Sequence, residues 1–268
     1  MLKHALALSA MMLAGCQSVQ TTQPGVVGVQ RQQSMLVSSS TVNRGAENAY
    51  RKVLSEAQRK GQLNRDAVQT ARVRAIAGRL IPQTGAFRPD APGWRWEVNV
   101  ISSKEINAWC MPGGKIAFYT GLIERLQATD AEIAAVMGHE IAHALREHGR
   151  ERASQAMAQG IGIAVVGTAL GVSGGAQDLT QMVLDLTFNL PNSRTDETEA
   201  DRIGVELGAR GGFDPRAAVT LWEKMQTSGG GQPPQFLSTH PSHATRIGDL
   251  RGYSTKVMPL YEAARAKR

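Results

Sequence analysis

His139-Glu140-Ile141-Ala142-His143 constrains this chain more than any other five residues. On a helix, positions four apart share a face with Cβ atoms about 6 Å apart. Both imidazoles can then reach one metal ion at about 2.0–2.1 Å. Glu140 flanks the ion's open position, where a carboxylate can take a proton from water. The pattern has this meaning only if it lies on a helix and if a third ligand arrives from elsewhere.

The first condition is met by what surrounds the motif. Thr129-Asp130-Ala131-Glu132 has the form of a capping box, a hydroxyl followed three residues later by a glutamate. No proline follows as far as Ala158, and Ile133, Val136, Met137, Ile141, Ala144 and Leu145 recur at helical spacing. This predicts a largely buried amphipathic helix over 129–158. Within a continuous helix His148 falls about 140° away from His143 and reads as an ordinary residue.

A second amphipathic helix is expected from Ser193, just after Pro191. An open catalytic zinc site takes three protein ligands and leaves a position for water. Glu197 and Asp201 are four apart and share a face. One can ligate while the other accepts a hydrogen bond from the free nitrogen of a ligand histidine. Spacing alone does not decide between Glu197 and Glu199, whose faces differ by about 200°. Glu197 is preferred because Asp201 accompanies it.

Upstream, Trp94 to Ile101 alternates as a strand, and Lys115 to Tyr119 forms a second extended run. Pro112-Gly113-Gly114 is strong turn punctuation between them. These runs predict a small antiparallel sheet packed on the metal-binding helix. The remaining helices are expected near 45–62, 65–82, 120–127, 177–190, 195–210, 215–227 and 242–251.

Four segments now carry a family resemblance: Asn107 to Gly114, His139 to His143, Ser193-Arg194 through Asp201, and Thr239-His240-Pro241 with Arg246. Together they span most of residues 45–250. The chain resembles the HtpX and CAAX prenyl protease family of zinc metallopeptidases, and most of all its small periplasmic branch, related to mitochondrial Oma-type proteases. The resemblance implies an α+β, mostly helical, zincin-like domain holding one Zn²⁺ per chain through His139, His143 and Glu197. Glu140 is the expected catalytic base and Asp201 the partner of a ligand histidine. By the same resemblance Asn107, Ala108, Trp109, Cys110 and Met111 border a groove that takes an extended polypeptide as an added strand. Cys110 departs from the small or apolar residue expected at its position. His240 has two readings: it stabilises a developing oxyanion, or it occupies the fourth metal position and holds the centre inactive. Arg246 is expected to support packing through a salt bridge.

The amino terminus speaks to compartment. Residues 1–15 hold Lys3 and a short apolar run, too brief to span a bilayer, and read as a signal peptide. Leu13-Ala14-Gly15-Cys16 resembles a bacterial lipobox, which implies a lipidated Cys16, and Gln17 behind it points to the outer membrane, facing the periplasm. With Cys16 lipidated, Cys110 is the only other thiol, so no internal disulfide is expected. Residues 16–44, rich in Gln, Ser, Thr and Val, read as a flexible tether, and 45–268 as one domain. The apolar, glycine-rich run 160–175 is too short to cross a membrane and reads as either a buried segment or one that covers the cleft, a mobile lid being one form of the second.

Without Lys3 the chain carries 29 basic and 23 acidic side chains, a net of +6. The basic residues are scattered with few aromatics between them, which argues against nucleic acid as a partner. The function expected is zinc-dependent endopeptidase action on misfolded or misassembled envelope proteins, supplied as extended chains. The rival is a periplasmic chaperone or assembly factor for outer-membrane proteins, whose groove matters more than its cleavage. A purely structural zinc site is disfavoured, since such sites usually fill four positions with Cys or His.

Overall fold

The structure is a computed structural model that describes residues 17–158, 175–228, 234–242 and 244–267. The leader, Cys16, nearly all of the candidate lid at 160–175 and His243 lie outside the described residues. No helix among the described residues is long and apolar enough to cross a membrane.

The chain order is β1 (Gln17–Val19), β2 (Gln33–Met35), α1 (Ser39–Arg59), α2 (Ala67–Leu80), β3 (Glu97–Ile101), β4 (Ala108–Met111), β5 (Lys115–Tyr119), α3 (Thr120–Arg125), α4 (Asp130–Leu145), α5 (His148–Ala158), α6 (Gly175–Phe188), α7 (Arg194–Arg210), α8 (Ala217–Thr227), α9 (Gln235–Thr239) and α10 (Arg246–Ala266). The fold is mostly helical with two small sheets, as the α+β expectation has it. The capping box forms: Thr129 Oγ1 accepts from the Glu132 N–H, and the Glu132 carboxylate accepts from the Thr129 N–H at 2.9 Å. Ser193 and Asp196 cap α7 in the same reciprocal way.

The sheet beside α4 differs from expectation. Its order is β3-β5-β4, with β3 and β5 parallel and only β4 and β5 antiparallel. Pro112-Gly113-Gly114 therefore turns β4 into β5, not β3 into β5. The short β4 run Ala-Trp-Cys-Met has all four residues buried, so it lacks the alternation that marks a strand with one wet face. Gly113 and Gly114 take φ of +79° and +81°, a region open to glycine. A Cβ on Gly114 would also lie 2.6 Å from the Trp96 ring.

The expected tether is corrected as well. Residues 17–38 pair as β1 with β2 and bury Val27, Val29, Met35 and Val37 against the domain. The alternating valines of a polar-looking stretch supply the buried face, Arg31 supplies half-buried ion pairs and Gln33 buried hydrogen bonds.

The helix expected over 129–158 breaks after Leu145. Glu147 adopts φ +52° although neither proline nor glycine sits there. Its carboxylate is clamped by Arg88 and Arg150 at 2.7 and 2.6 Å. The Arg146 carbonyl, freed from the helix ladder, accepts from Gln33 Nε2 at 2.8 Å. At the far end, α10 runs Arg246–Ala266, longer and later than the helix expected at 242–251.

The two helices that matter most cross in close contact. At their crossing Gly138 of α4 faces Gly204 of α7, and a Cβ on either would approach the other's backbone to 2.7 Å. Ile133, Val136, Met137, Ile141, Ile203 and Leu207 are buried around that crossing in the main core.

Candidate metal centre

His139, Glu140 and His143 stand on α4, Glu197 and Asp201 on the first turns of α7, and His240 just past α9. All are buried. Ligand atoms of His139, His143, Glu197 and His240 lie within 4.8 Å of one another, the one such group among the described residues. His139 Nε2 is 3.1 Å from His143 Nε2 and 3.5 Å from Glu197 Oε2. Glu197 Oε1 is 3.3 Å from His143 Nε2 and 3.0 Å from His240 Nδ1. His240 Nδ1 is also 3.2 Å from His139 Nε2. Donors held at about 2.0–2.1 Å from a tetrahedral centre are about 3.3 Å apart along each edge, so this set fits one small cation.

The protons make the same case. His139 Nδ1 meets the Asp201 carboxylate at 3.0 Å, so it carries the proton and leaves a lone pair on Nε2. Burial holds the His139 pKa down to about 3, against the pull of Glu197 and Asp201. A neutral imidazole, a second Nε2 and a carboxylate then face one point with little to hold them together but a cation. Asp201 is fixed in turn by Arg246 at 2.6 Å, and Arg246 reaches Glu197 Oε2 at 2.9 Å. The Arg246 guanidinium lies 3.3 Å from the Trp222 ring centroid, which sandwiches it between aromatic and acids. Arg246 is fully buried.

Glu140 Oε1 lies 3.3 Å from His240 Nε2 yet has no hydrogen-bond partner. Burial pushes its pKa up to about 8, while the His143 charge works the other way. A buried carboxylate with an unused oxygen is costly unless it has work with a transient partner.

A cleft opens beside these groups. Trp109 and Cys110 line it, but Asn107, Ala108 and Met111 do not. The side chains of Ala108 and Met111 turn into the core, and Asn107 Oδ1 accepts from the neighbouring Ala108 N–H. Of the segment expected to border a substrate groove, Trp109 and Cys110 are the two whose residues line this cleft. Trp109 is pinned edge-on by Tyr50 and Phe188. The Cys110 thiol is buried and its pKa raised by that burial, so it stays protonated. Tyr119 N–H donates to the Asn107 carbonyl, and by antiparallel alternation the main-chain groups of Ala108 and Cys110 face away from β5, along the sheet's edge.

Two residues read as ordinary or left aside stand next to the ligands. The break after Leu145 swings His148 back, so its Nδ1 lies 2.8 Å from His143 Nδ1. Its Nε2 lies 3.1 Å from Glu199 Oε2. Burial would raise the Glu199 pKa, but hydrogen bonds from His148 and Arg31 and the Arg146 charge bring it down to about 2. No helix-breaking residue foretold this, because the contacts at the break include Arg88 and Gln33 from far along the chain. Asn192, also missed, lines the cleft with Nδ2 3.4 Å from His240 Nδ1.

Residues 67–254 match peptidase family M48. The chain belongs to peptidase family M48. It is 35% identical over 213 residues to the mitochondrial metalloendopeptidase OMA1 of Schizosaccharomyces pombe, covering 79% of this chain and 60% of that protein. The OMA1 of Arabidopsis thaliana is 39% identical over 154 residues, 58% of this chain and 30% of the relative. The beta-barrel assembly-enhancing protease of Escherichia coli is 27% identical over 205 residues, 73% of this chain and 41% of the relative. The chain thus matches less than two thirds of the length of these relatives.

Proposed function

We propose that the protein is a zinc-dependent endopeptidase acting on extended polypeptides. The observation that carries this is the convergence of His139, His143 and Glu197 beside a buried Glu140 whose Oε1 has no partner. His139, His143 and Glu197 would hold the ion. Bound zinc would polarise a scissile carbonyl and make a nearby water more acidic. Glu140 accepts the attacking water's proton and passes it to the leaving amine. Its buried setting, which favours the protonated form, suits a group that must hold that proton between the two transfers. The edge of β4 would receive the substrate as an added strand, beside the cleft that Trp109 and Cys110 line.

His240 Nδ1 stands where a fourth donor would, and its Nε2 stands by Glu140. Of its two readings, this position supports latency: in the conformation described, water and carbonyl have no place until His240 withdraws. The lipobox-like Cys16 supports a lipoprotein of the outer membrane facing the periplasm, and the likeness to the beta-barrel assembly-enhancing protease of Escherichia coli supports work on misfolded or misassembled envelope proteins. The second reading, a chaperone or assembly factor, draws support from that closed conformation. Glu140→Gln separates them. The variant is expected to bind zinc as the parent does and to lose cleavage of an unfolded reporter protein by a factor of about 10² or more. Cleavage at the parent rate refutes the peptidase reading, and envelope function retained by the variant favours the chaperone.

A further inference from the structure

The metal reading accounts for Asp201 but leaves a second buried chain of polar groups unexplained. His143 Nδ1 and His148 Nδ1 face each other at 2.8 Å, and His148 Nε2 faces Glu199 Oε2 at 3.1 Å. Glu199 is gripped from the other side by Arg146 Nε at 2.8 Å and Arg31 Nε at 2.8 Å. His148 and Arg146 are both wholly buried. We propose that His148 is a positioning residue of the metal centre, carrying the orienting effect of Glu199 to the ligand His143.

The proton assignments run in one direction only. For His143 to offer a lone pair at Nε2, its proton must sit on Nδ1. That proton is donated to His148 Nδ1, which must then be bare. His148 therefore carries its own proton on Nε2 and donates it to Glu199. A carboxylate between two guanidinium groups accepts and cannot donate, so it fixes the whole chain from its outer end. The device serves His143 as Asp201 serves His139, one imidazole longer. It also gives the amino-terminal segment a place in the site. Arg31 follows β1, and its grip on Glu199 ties residues 17–38 to the setting of His143.

This inference rests on the zinc reading, and one experiment separates the two. The full chain, as parent, His148→Leu, His148→Asn and Glu199→Gln, competes for zinc with a chromophoric chelator, and the melting temperature of each metal-free form is taken alongside. A parent that fails to bind one zinc per chain sinks the metal reading itself. With a zinc-binding parent, His148→Leu is expected to weaken affinity about 10–100-fold. His148→Asn places a carboxamide oxygen near the position of Nδ1 and is expected to recover most of it. Glu199→Gln can donate to His148 Nε2 and so admit the wrong tautomer; a loss of about tenfold is expected. In the zinc-loaded parent, ¹⁵N spectra should place the His143 proton on Nδ1. Parent-like affinity in His148→Leu overturns the proposal. So do equal losses in the leucine and asparagine variants, which would mark a merely structural role. Should His148→Leu fail to fold, Glu199→Gln decides, and parent-like affinity there overturns the proposal equally.

Discussion

Alanine at Gly204 tests what holds the two ligand-bearing helices together. A Cβ there would lie 2.7 Å from the His139 nitrogen and 2.9 Å from both the Gly138 carbonyl carbon and His139 Cα. All three are backbone atoms of α4, so no side chain can rotate aside. Ordinary contact begins near 3.4 Å, so α4 and α7 must part by roughly 0.7 Å. The alanine gains up to about 1 kcal/mol in helix propensity. Overpacking costs about 1–3 kcal/mol, and with rigid backbone on the far side the upper part of that range applies. The net expectation is a loss of about 1–2 kcal/mol in the metal-free protein. The metal centre should suffer more. Glu197 belongs to α7 and both motif histidines to α4, so separation lengthens the 3.3 and 3.5 Å spans between them. A metal site tolerates about 0.2 Å, so zinc affinity should fall roughly tenfold or more. Thermal unfolding and chelator competition read the two effects. Gly208, one turn further along α7, has nothing within 4 Å of an added Cβ. Its alanine variant should be more stable than the parent by up to about 1 kcal/mol. If Gly204→Ala matches the parent in stability and zinc affinity, close helix approach is not what sets the site.

Two further predictions follow from the same geometry. His240→Ala should raise cleavage of an unfolded reporter about tenfold or more, since a competing donor leaves and the competent fraction grows; a fall in rate would return His240 to oxyanion stabilisation. Glu132, at the capping box of α4, is raised by burial but lowered more by Lys224 and the Thr129 N–H, so its folded pKa lies below the ordinary 4.5. The stability it contributes is therefore present above pH 4.5 and lost as pH falls below it. Glu132→Gln should cost about 1 kcal/mol at pH 7 and should lose less than the parent on acidification. Parallel acid titrations of the two, followed by circular dichroism, would contradict this.

The sequence by itself determined the centre's inner parts. Two histidines four apart, a glutamate between them and a capped helix start are local patterns, and helical periodicity turns them directly into shared faces. Glu197 was separable from Glu199 only through its companion Asp201, and the structure gives each glutamate a role, on opposite sides of one helix. Tertiary structure alone decided the rest. The break after Leu145 draws on Arg88 and Gln33, which lie far away in the chain, as well as on nearby Arg150, and without it His148 would point away from His143. The amino-terminal segment folds because its few valines meet a core already built by other residues. That β5 lies between β3 and β4 was not legible, because a buried four-residue strand carries no alternation to announce itself. Periodicity reports which face a residue takes on its own element; which elements meet that face is set by burial and charge pairing among segments that are neighbours only after folding.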